Sequence, residues 1–208
     1  MNGKFISIEG IEGAGKSTQI NFIRDFLEAK GKRVVVSREP GGTELGEQIR
    51  ELLLAPRQAG MSEDTELLLM FAARAEHIHQ KIKPALMRGD WVLCDRFVDA
   101  TFAYQGGGRG IERDRIQTIS DWTLKGIQTD LTLLFDLPVS VGQSRVVKRQ
   151  QQKDRFEQEK AVFFEKIRHC YLQRAETEPE RIKIIDASRE IEAIQSQISS
   201  ILNALLSP

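Results

Sequence analysis

Apolar residues fall into two kinds of pattern along this chain. Runs of four to six residues, at Phe5–Ile8, Val34–Ser37, Trp91–Asp95, Leu131–Asp136 and Ile182–Ile185, are short and mostly apolar. Each is followed by a segment of helical character; after the first run, Ile20, Phe22, Ile23, Phe26 and Leu27 recur at helical spacing between Thr18 and Lys30. Short apolar runs predict buried strands, and the helical period predicts amphipathic helices between them. The alternation predicts an α/β fold, a five-stranded parallel sheet with helices on both faces. Ligands of such sheets bind beyond the carboxyl ends of the strands, so the residues just after each run are where chemistry is expected.

The first of these positions carries Gly10-Ile11-Glu12-Gly13-Ala14-Gly15-Lys16-Ser17, which matches G-x-x-x-x-G-K-[ST] without a gap. It lies between a predicted strand and a predicted helix, the context this phosphate-binding loop requires. Glycines let the backbone wrap a phosphate, amide N–H groups and the helix N-terminus supply positive potential, and Lys16 adds a mobile charge. Ser17 would offer its hydroxyl to Mg²⁺. Gly10 to Thr18 are therefore the expected ATP-binding residues, with Thr18 following the loop into the helix.

Other strand ends are also polar. Arg38-Glu39-Pro40-Gly41-Gly42 follows the second run and Asp95-Arg96 closes the third. Tyr104-Gln105-Gly106-Gly107-Gly108-Arg109-Gly110 reads as a flexible, Gly-dense connection. Lys148-Arg149-Gln150-Gln151-Gln152-Lys153-Asp154-Arg155 is polar and basic between two helices, which suits a mobile lid at about 145–156.

Composition narrows the class. At 208 residues the chain fits one α/β domain spanning 1–208. Thirty basic residues balance thirty acidic ones, so no global field draws it to nucleic acid or membrane. No stretch has the apolar length a bilayer span needs, and the N-terminus runs straight into the first strand without room for a signal peptide. Cys94 and Cys170 lack metal-ligand spacing and read as reduced thiols of a cytoplasmic protein. His77 and His79 sit two apart on different helix faces and do not form a metal pair. GTPases need a guanine-reading N-K-x-D segment, and none of the three asparagines, Asn2, Asn21 and Asn203, begins one. A small chain with arginines at strand ends and a basic lid points to a kinase that brings two polyanions in line and shuts out water. Alternatives are a kinase reading another base, or a nucleotide-dependent switch protein with no small acceptor.

Together these segments resemble the bacterial thymidylate kinase family. The resemblance rests on Ile8 to Thr18, Arg38-Glu39-Pro40-Gly41-Gly42-Thr43, Phe71-Ala72-Ala73-Arg74, Asp95-Arg96, Ala103 to Gly110 and Asp154-Arg155-Phe156-Glu157, in family order from residue 4 to about 190. It implies the phosphate-loop NTPase fold with a short helical lid, and transfer of the ATP γ-phosphoryl group to dTMP with Mg²⁺, in dTTP synthesis.

Site residues follow by position. Lys16 would cradle the ATP phosphates, with Ser17 and Asp95 at Mg²⁺; Asp95 could equally orient Arg96. Glu12 matches the family's acid near the acceptor 3′-hydroxyl, and would otherwise be a solvated loop carboxylate. Arg38, Arg50 and Arg96 match positions around the dTMP phosphate, where a planar guanidinium grips oxygens in pairs. An ion pair with Glu47 would explain Arg50 equally well. Arg74 matches the arginine facing thymine O4, and Thr101 and Gln105 match polar residues near the ring. The family's stacking aromatic falls four residues before that arginine, at Met70 here, whereas the aromatic Phe71 lies three before; either could cover the ring. Tyr104 matches a residue packed against the sugar's 2′ carbon. Positions 11 to 14 hold no base, so the transferred phosphoryl group would be met from the lid, by Arg149 first, with Lys148, Lys153 and Arg155 behind it. The family is commonly a homodimer, and Leu67, Leu68 and Leu69 would allow such pairing or fill a core.

Overall fold

The computed structural model describes residues 3–56, 60–148 and 154–207. Five strands, β1 (Phe5–Glu9), β2 (Val34–Arg38), β3 (Trp91–Asp95), β4 (Leu131–Asp136) and β5 (Ile182–Asp186), form one sheet in the order β2-β3-β1-β4-β5. All neighbours are parallel, with Ile8 opposite Asp95, Arg38 opposite Asp95 and Glu9 opposite Leu134. The expected strands are therefore present, with ends within one residue of the apolar runs.

Nine α-helices are described: α1 (Lys16–Ala29), α2 (Glu44–Leu54), α3 (Glu63–His77), α4 (Lys83–Met87), α5 (Val98–Thr101), α6 (Arg113–Leu124), α7 (Val139–Lys148), α8 (Ala161–Thr177) and α9 (Ile191–Leu206). Alternation along the strands divides the core into two layers. Ile6, Ile8, Leu93 and Leu133 pack with Ile23 and Leu27 of α1, Ile167 of α8 and Ile198 and Leu202 of α9. Phe5, Val92 and Cys94 face the other way, onto Ile78, Ile82 and Phe97. β1 is central and buried along its whole length, and its two polar residues, Ser7 and Glu9, are buried with hydrogen-bond partners. Chain order reverses around β1, since β2 and β3 lie to one side and β4 and β5 to the other. The crevice for ligands opens at the carboxyl ends beside that reversal.

Two helices start on side-chain caps. Thr43 Oγ1 accepts from Gly46 N at 3.1 Å before α2, and Ser62 Oγ accepts from Thr65 N at 3.2 Å before α3. From that start, α3 carries Glu66, Met70, Arg74 and His77 at three- and four-residue spacing, one stripe facing the centre of the molecule.

One expectation is overturned. The Gly-dense segment after Tyr104 is no flexible connection, because Phe102–Gly108 is a π-helical stretch continuing α5. Its glycines serve close approach to α8. A Cβ at Gly107 would lie 2.7 Å from Cys170 Cβ, and one at Gly108 would lie 2.5 Å from the Phe163 ring. Of the expected lid, 145–148 form the last turn of α7, residues 149–153 (Arg149 and Lys153 among them) lie outside the described residues, and 155–156 open a turn that runs to 158. Among the described residues no helix is long and apolar enough to cross a membrane.

Candidate active site

The phosphate loop is shaped by backbone and by what presses on it. Gly10, Gly13 and Gly15 take φ values of 132°, 79° and 81°, a region where a side chain is strained. Gly13 has a second constraint, since a Cβ there would lie 2.2 Å from the carbonyl oxygen of Gly142 in α7. The loop is thus seated directly on α7. Arg145 of that helix donates from Nη1 to Ala187 O at 3.2 Å and, longer, to Gly13 O at 3.4 Å.

Lys16 is buried and donates to Gly10 O at 2.8 Å and Ile11 O at 2.9 Å. Burial first, and the Arg96 charge second, lower its pKa from 10.5 to about 8. Asp95, Glu12 and Glu9 oppose that shift, and phosphate oxygens would compensate the buried ammonium further. Ser17 and Thr18 are exposed at the start of α1, where backbone N–H groups lack helical partners. Asp95 Oδ1 is buried with no hydrogen-bond partner among the described residues.

Beyond the loop opens a cleft that runs from Glu12 and Arg96 to Thr101 and Gln105. Its inner end is joined to the loop by three side chains. Arg96 Nη2 donates to Glu12 Oε1 at 2.9 Å and to Tyr104 OH at 3.0 Å, and Tyr104 OH donates to Glu12 Oε1 and Oε2 at 2.7 and 2.8 Å. Arg96 holds this position from a backbone with φ of 66°, unusual for a residue with a side chain, while its Nε is buried without a partner among the described residues.

The far end of the cleft is lined by Met70, Arg74, Phe97, Thr101 and Gln105. Arg74 is buried, donating from Nε to Glu39 Oε2 at 2.7 Å, from Nη1 to Thr101 Oγ1 at 2.8 Å and from Nη2 to Phe97 O at 3.1 Å. Glu39 is held from its other oxygen by His77 Nδ1 at 2.9 Å, and His77 Nε2 lies 2.6 Å from Ser37 Oγ. A carboxylate can only accept, so His77 Nδ1 donates to Glu39. A guanidinium anchored at three points leaves its outward N–H groups in fixed directions.

Most expected residues converge here. Glu12, Arg50, Met70, Arg74, Arg96, Thr101, Tyr104 and Gln105 all line the cleft. Phe71 does not; its ring is buried among Leu67, Phe102, Ile111 and Ile116, with the Arg74 guanidinium 5.0 Å from its centroid. The reason is helical phase, since residue 70 shares the inward stripe of residue 74 and residue 71 points toward α6. Arg38 is also outside the cleft lining, exposed and paired with Glu47 at 2.8 Å. Arg50, for which Glu47 was the competing partner, donates instead to Pro40 O at 2.9 Å from the cleft wall. Arg155 is turned away from the phosphate loop, bonding Glu66 Oε2 at 2.6 Å and Leu53 O at 2.8 Å. Arg149 lies outside the described residues. Missed from sequence were Phe97, Phe156, Glu39 and Glu66. Phe97 carries no signal apart from apolarity, and Phe156 stood only within the segment Asp154 to Glu157. Glu39 stood in the segment after β2, and Glu66 resembled an ordinary acid in a first helical turn.

A family model described as thymidylate kinase matches residues 8–198. The thymidylate kinase of Alcanivorax borkumensis is 53% identical over 205 residues, covering 99% of this chain and 98% of its own. That of Chromohalobacter salexigens is 54% identical over 98% of this chain and 97% of its own. Among solved structures, the crystal structure of thymidylate kinase from Ehrlichia chaffeensis superposes with a TM-score of 0.78 at 32% identity, covering 97% of this chain and 99% of that one.

Proposed function

The chain belongs to the thymidylate kinase family, and we propose that its phosphate loop and its side-chain cleft divide that family's reaction between them. The reaction joins ATP and dTMP to give ADP and dTDP. A dTMP phosphate oxygen attacks the γ-phosphorus as the bond to the β-phosphate oxygen breaks. The acceptor is already an anion, so positioning and electrostatic stabilisation supply the catalysis and no general base is needed.

In this assignment Gly10 to Thr18 wrap the ATP phosphates, and Lys16 exchanges its two carbonyl partners for phosphate oxygens. Arg96 and Arg50 grip the dTMP phosphate, Glu12 faces the 3′-hydroxyl, and Tyr104 packs against the 2′ carbon, where a ribose hydroxyl would clash. Arg74, Thr101 and Gln105 read the base, with Met70 covering the ring through its polarisable sulfur. The observation that carries the reading is the Glu12–Arg96–Tyr104 cluster, which joins the loop to the cleft at the point where acceptor must meet donor.

Ser17 and Asp95 suit Mg²⁺. Asp95 offers a buried oxygen without a partner, and a site of one hydroxyl and one carboxylate completed by phosphates is usual for this ion. Bound there, Mg²⁺ would neutralise phosphate charge. The lid role falls to residues 145–156 of the one domain, with Arg149, outside the described residues, as the first contact to the phosphoryl group. The protein works in the cytoplasm as a homodimer. Leu68, Met87 and Trp122 are exposed, and Met87 and Trp122 line one groove near α3 and α6, an apolar surface that suits pairing.

The test is coupled ADP release with ATP and Mg²⁺ over dTMP, dUMP, dCMP, dGMP, AMP and the ribose form of TMP. Strong turnover of dTMP, weak turnover of dUMP and almost none of the ribose form is expected. Turnover centred on another base would remove the roles given to Arg74, Thr101 and Gln105. Sedimentation of the Trp122→Glu variant tests the dimer, with a shift toward monomer expected.

A further inference from the structure

Gln105 is buried and lines the cleft at the end where the base is read. A carboxamide can offer a base either its oxygen or its NH₂ group, and the two read opposite chemistry. Here the choice is made behind the side chain. Gln105 Nε2 donates to Glu66 Oε1 at 2.8 Å, and Glu66 is 1% exposed. A carboxylate has no proton to give, so the amide end facing Glu66 must be the NH₂. No hydrogen bond to another described residue occupies Gln105 Oε1.

Glu66 is itself firmly held. Arg155 Nη1 lies 2.6 Å from its Oε2, and Arg109 Nε reaches both oxygens at 3.3 Å. Two guanidinium groups compensate the buried charge and leave Oε1 directed at Gln105. Arg155 is further pinned through its backbone N to Leu54 O at 3.1 Å.

We propose that Glu66 is a positioning residue for base specificity: by holding the Gln105 amide with its oxygen toward the cleft, it makes the site select a ring whose N3 carries a proton. Arg74 can only donate and Gln105 can then only accept. Thymine offers the matching pair, an O4 acceptor beside an N3–H donor. Cytosine offers the reverse, an N4 amine beside an unprotonated N3, and meets donor with donor and acceptor with lone pair. A site with fixed polar groups rejects such a mismatch far more strongly than an apolar pocket rejects a change of shape. This inference rests on the base-reading role given above to the cleft.

The experiment measures KM for dTMP and the inhibition constant of dCMP in wild type, Glu66→Gln, Gln105→Leu and the double variant. Glutamine at 66 keeps the volume but can satisfy Gln105 in either orientation. The ratio of dCMP inhibition constant to dTMP KM is expected to fall about tenfold or more in Glu66→Gln and to stay where Gln105→Leu has set it when Glu66→Gln is added. Equal falls in both backgrounds, or no fall with Gln105 intact, would overturn the inference alone. A wild-type enzyme without preference for dTMP over dCMP would sink the cleft assignment and the inference with it. Should Glu66→Gln not fold, NMR of the unmodified protein decides. Side-chain amide protons of Gln105 protected from exchange before nucleotide is added support the orientation, and protection arising only with nucleotide overturns it.

Discussion

The phosphate loop and the base-reading cleft adjoin at Glu12, yet they are built by opposite means. The loop is eight consecutive residues whose positive φ values and contacts with α7 are dictated by glycines. The cleft draws on residues from 12 to 156, and its reading groups are held by two buried carboxylates, Glu39 and Glu66, each satisfied by two or more donors. Backbone makes the first site and side-chain networks make the second. The loop should therefore fail through single atoms at fixed places, and the cleft through loss of a partner several ångströms from the ligand.

Lys16→Met sharpens that contrast most. It removes the one mobile charge of the loop without touching the cleft, so kcat should fall by about 10³-fold or more while dTMP binding, measured by titration without ATP, stays within a few-fold. A parallel loss of dTMP affinity would mean that the two regions are not separable. Glu39→Gln is the counterpart in the cleft. It leaves Arg74 buried with its charge uncompensated, and thermal or denaturant unfolding should show a loss of about 3 kcal/mol. KM for dTMP should rise by at least tenfold, with kcat at saturation less affected.

Glycine-to-alanine exchanges compare the regions on equal terms. In the loop, Gly13→Ala adds a Cβ 2.2 Å from Gly142 O at a backbone φ of 79°, so the loop must leave its seat on α7. About a hundredfold fall in kcat/KM for ATP is expected, following the sensitivity of catalysis to displacements near 1 Å. Gly107→Ala places a Cβ 2.7 Å from Cys170 Cβ and 3.0 Å from Lys166 O, forcing the π-helical stretch away from α8. Overpacking of this kind costs about 1–3 kcal/mol, read as a lower Tm with a raised KM for dTMP. If Gly13→Ala proved the milder change for activity, the backbone account of the loop would be wrong.

The same contrast governs what could be read without coordinates. The five strands and the phosphate loop stand in the sequence because each is contiguous and locally patterned. The cleft residues Arg74, Thr101, Tyr104 and Gln105 were legible only through family resemblance, since no spacing rule links positions brought together by folding. Phe102–Gly108 was misread because dense glycine signals a turn, while the actual cause is a helix about sixty residues further on. Arg38 lies away from its expected site because which arginine reaches Glu47 depends on the path of the backbone between β2 and α2. Glu66 was invisible for a different reason. An acid in the first turn of a helix is ordinarily solvated, and only the packing of Gln105, Arg109 and Arg155 around it reveals a buried one.

Glu9 belongs to both regions and supplies the finest test of their separateness. It ends β1 just before the loop, yet its Oε1 accepts from Phe97 N at 2.7 Å in the cleft wall and its Oε2 from Tyr171 OH at 2.8 Å. Burial first, then the nearby Asp99 charge, raise its pKa from 4.5 to about 8, against the opposing influence of Tyr171, Phe97 N and Arg96. The folded protein therefore holds a proton that the unfolded chain releases between pH 4.5 and 8. In that window the unfolded state binds fewer protons, so this group lowers stability as pH rises, by at most about 1.4 kcal/mol per pH unit. Glu9→Gln keeps an acceptor for Phe97 N, turns the group facing Tyr171 OH from acceptor to donor, and removes the titration. Denaturant unfolding at pH 5, 6, 7 and 8 should give a flatter profile for the variant than for wild type. Parallel profiles would mean that Glu9 is ionised in the folded state, and that the junction of loop and cleft carries a negative charge beside Arg96 where a neutral acid is expected.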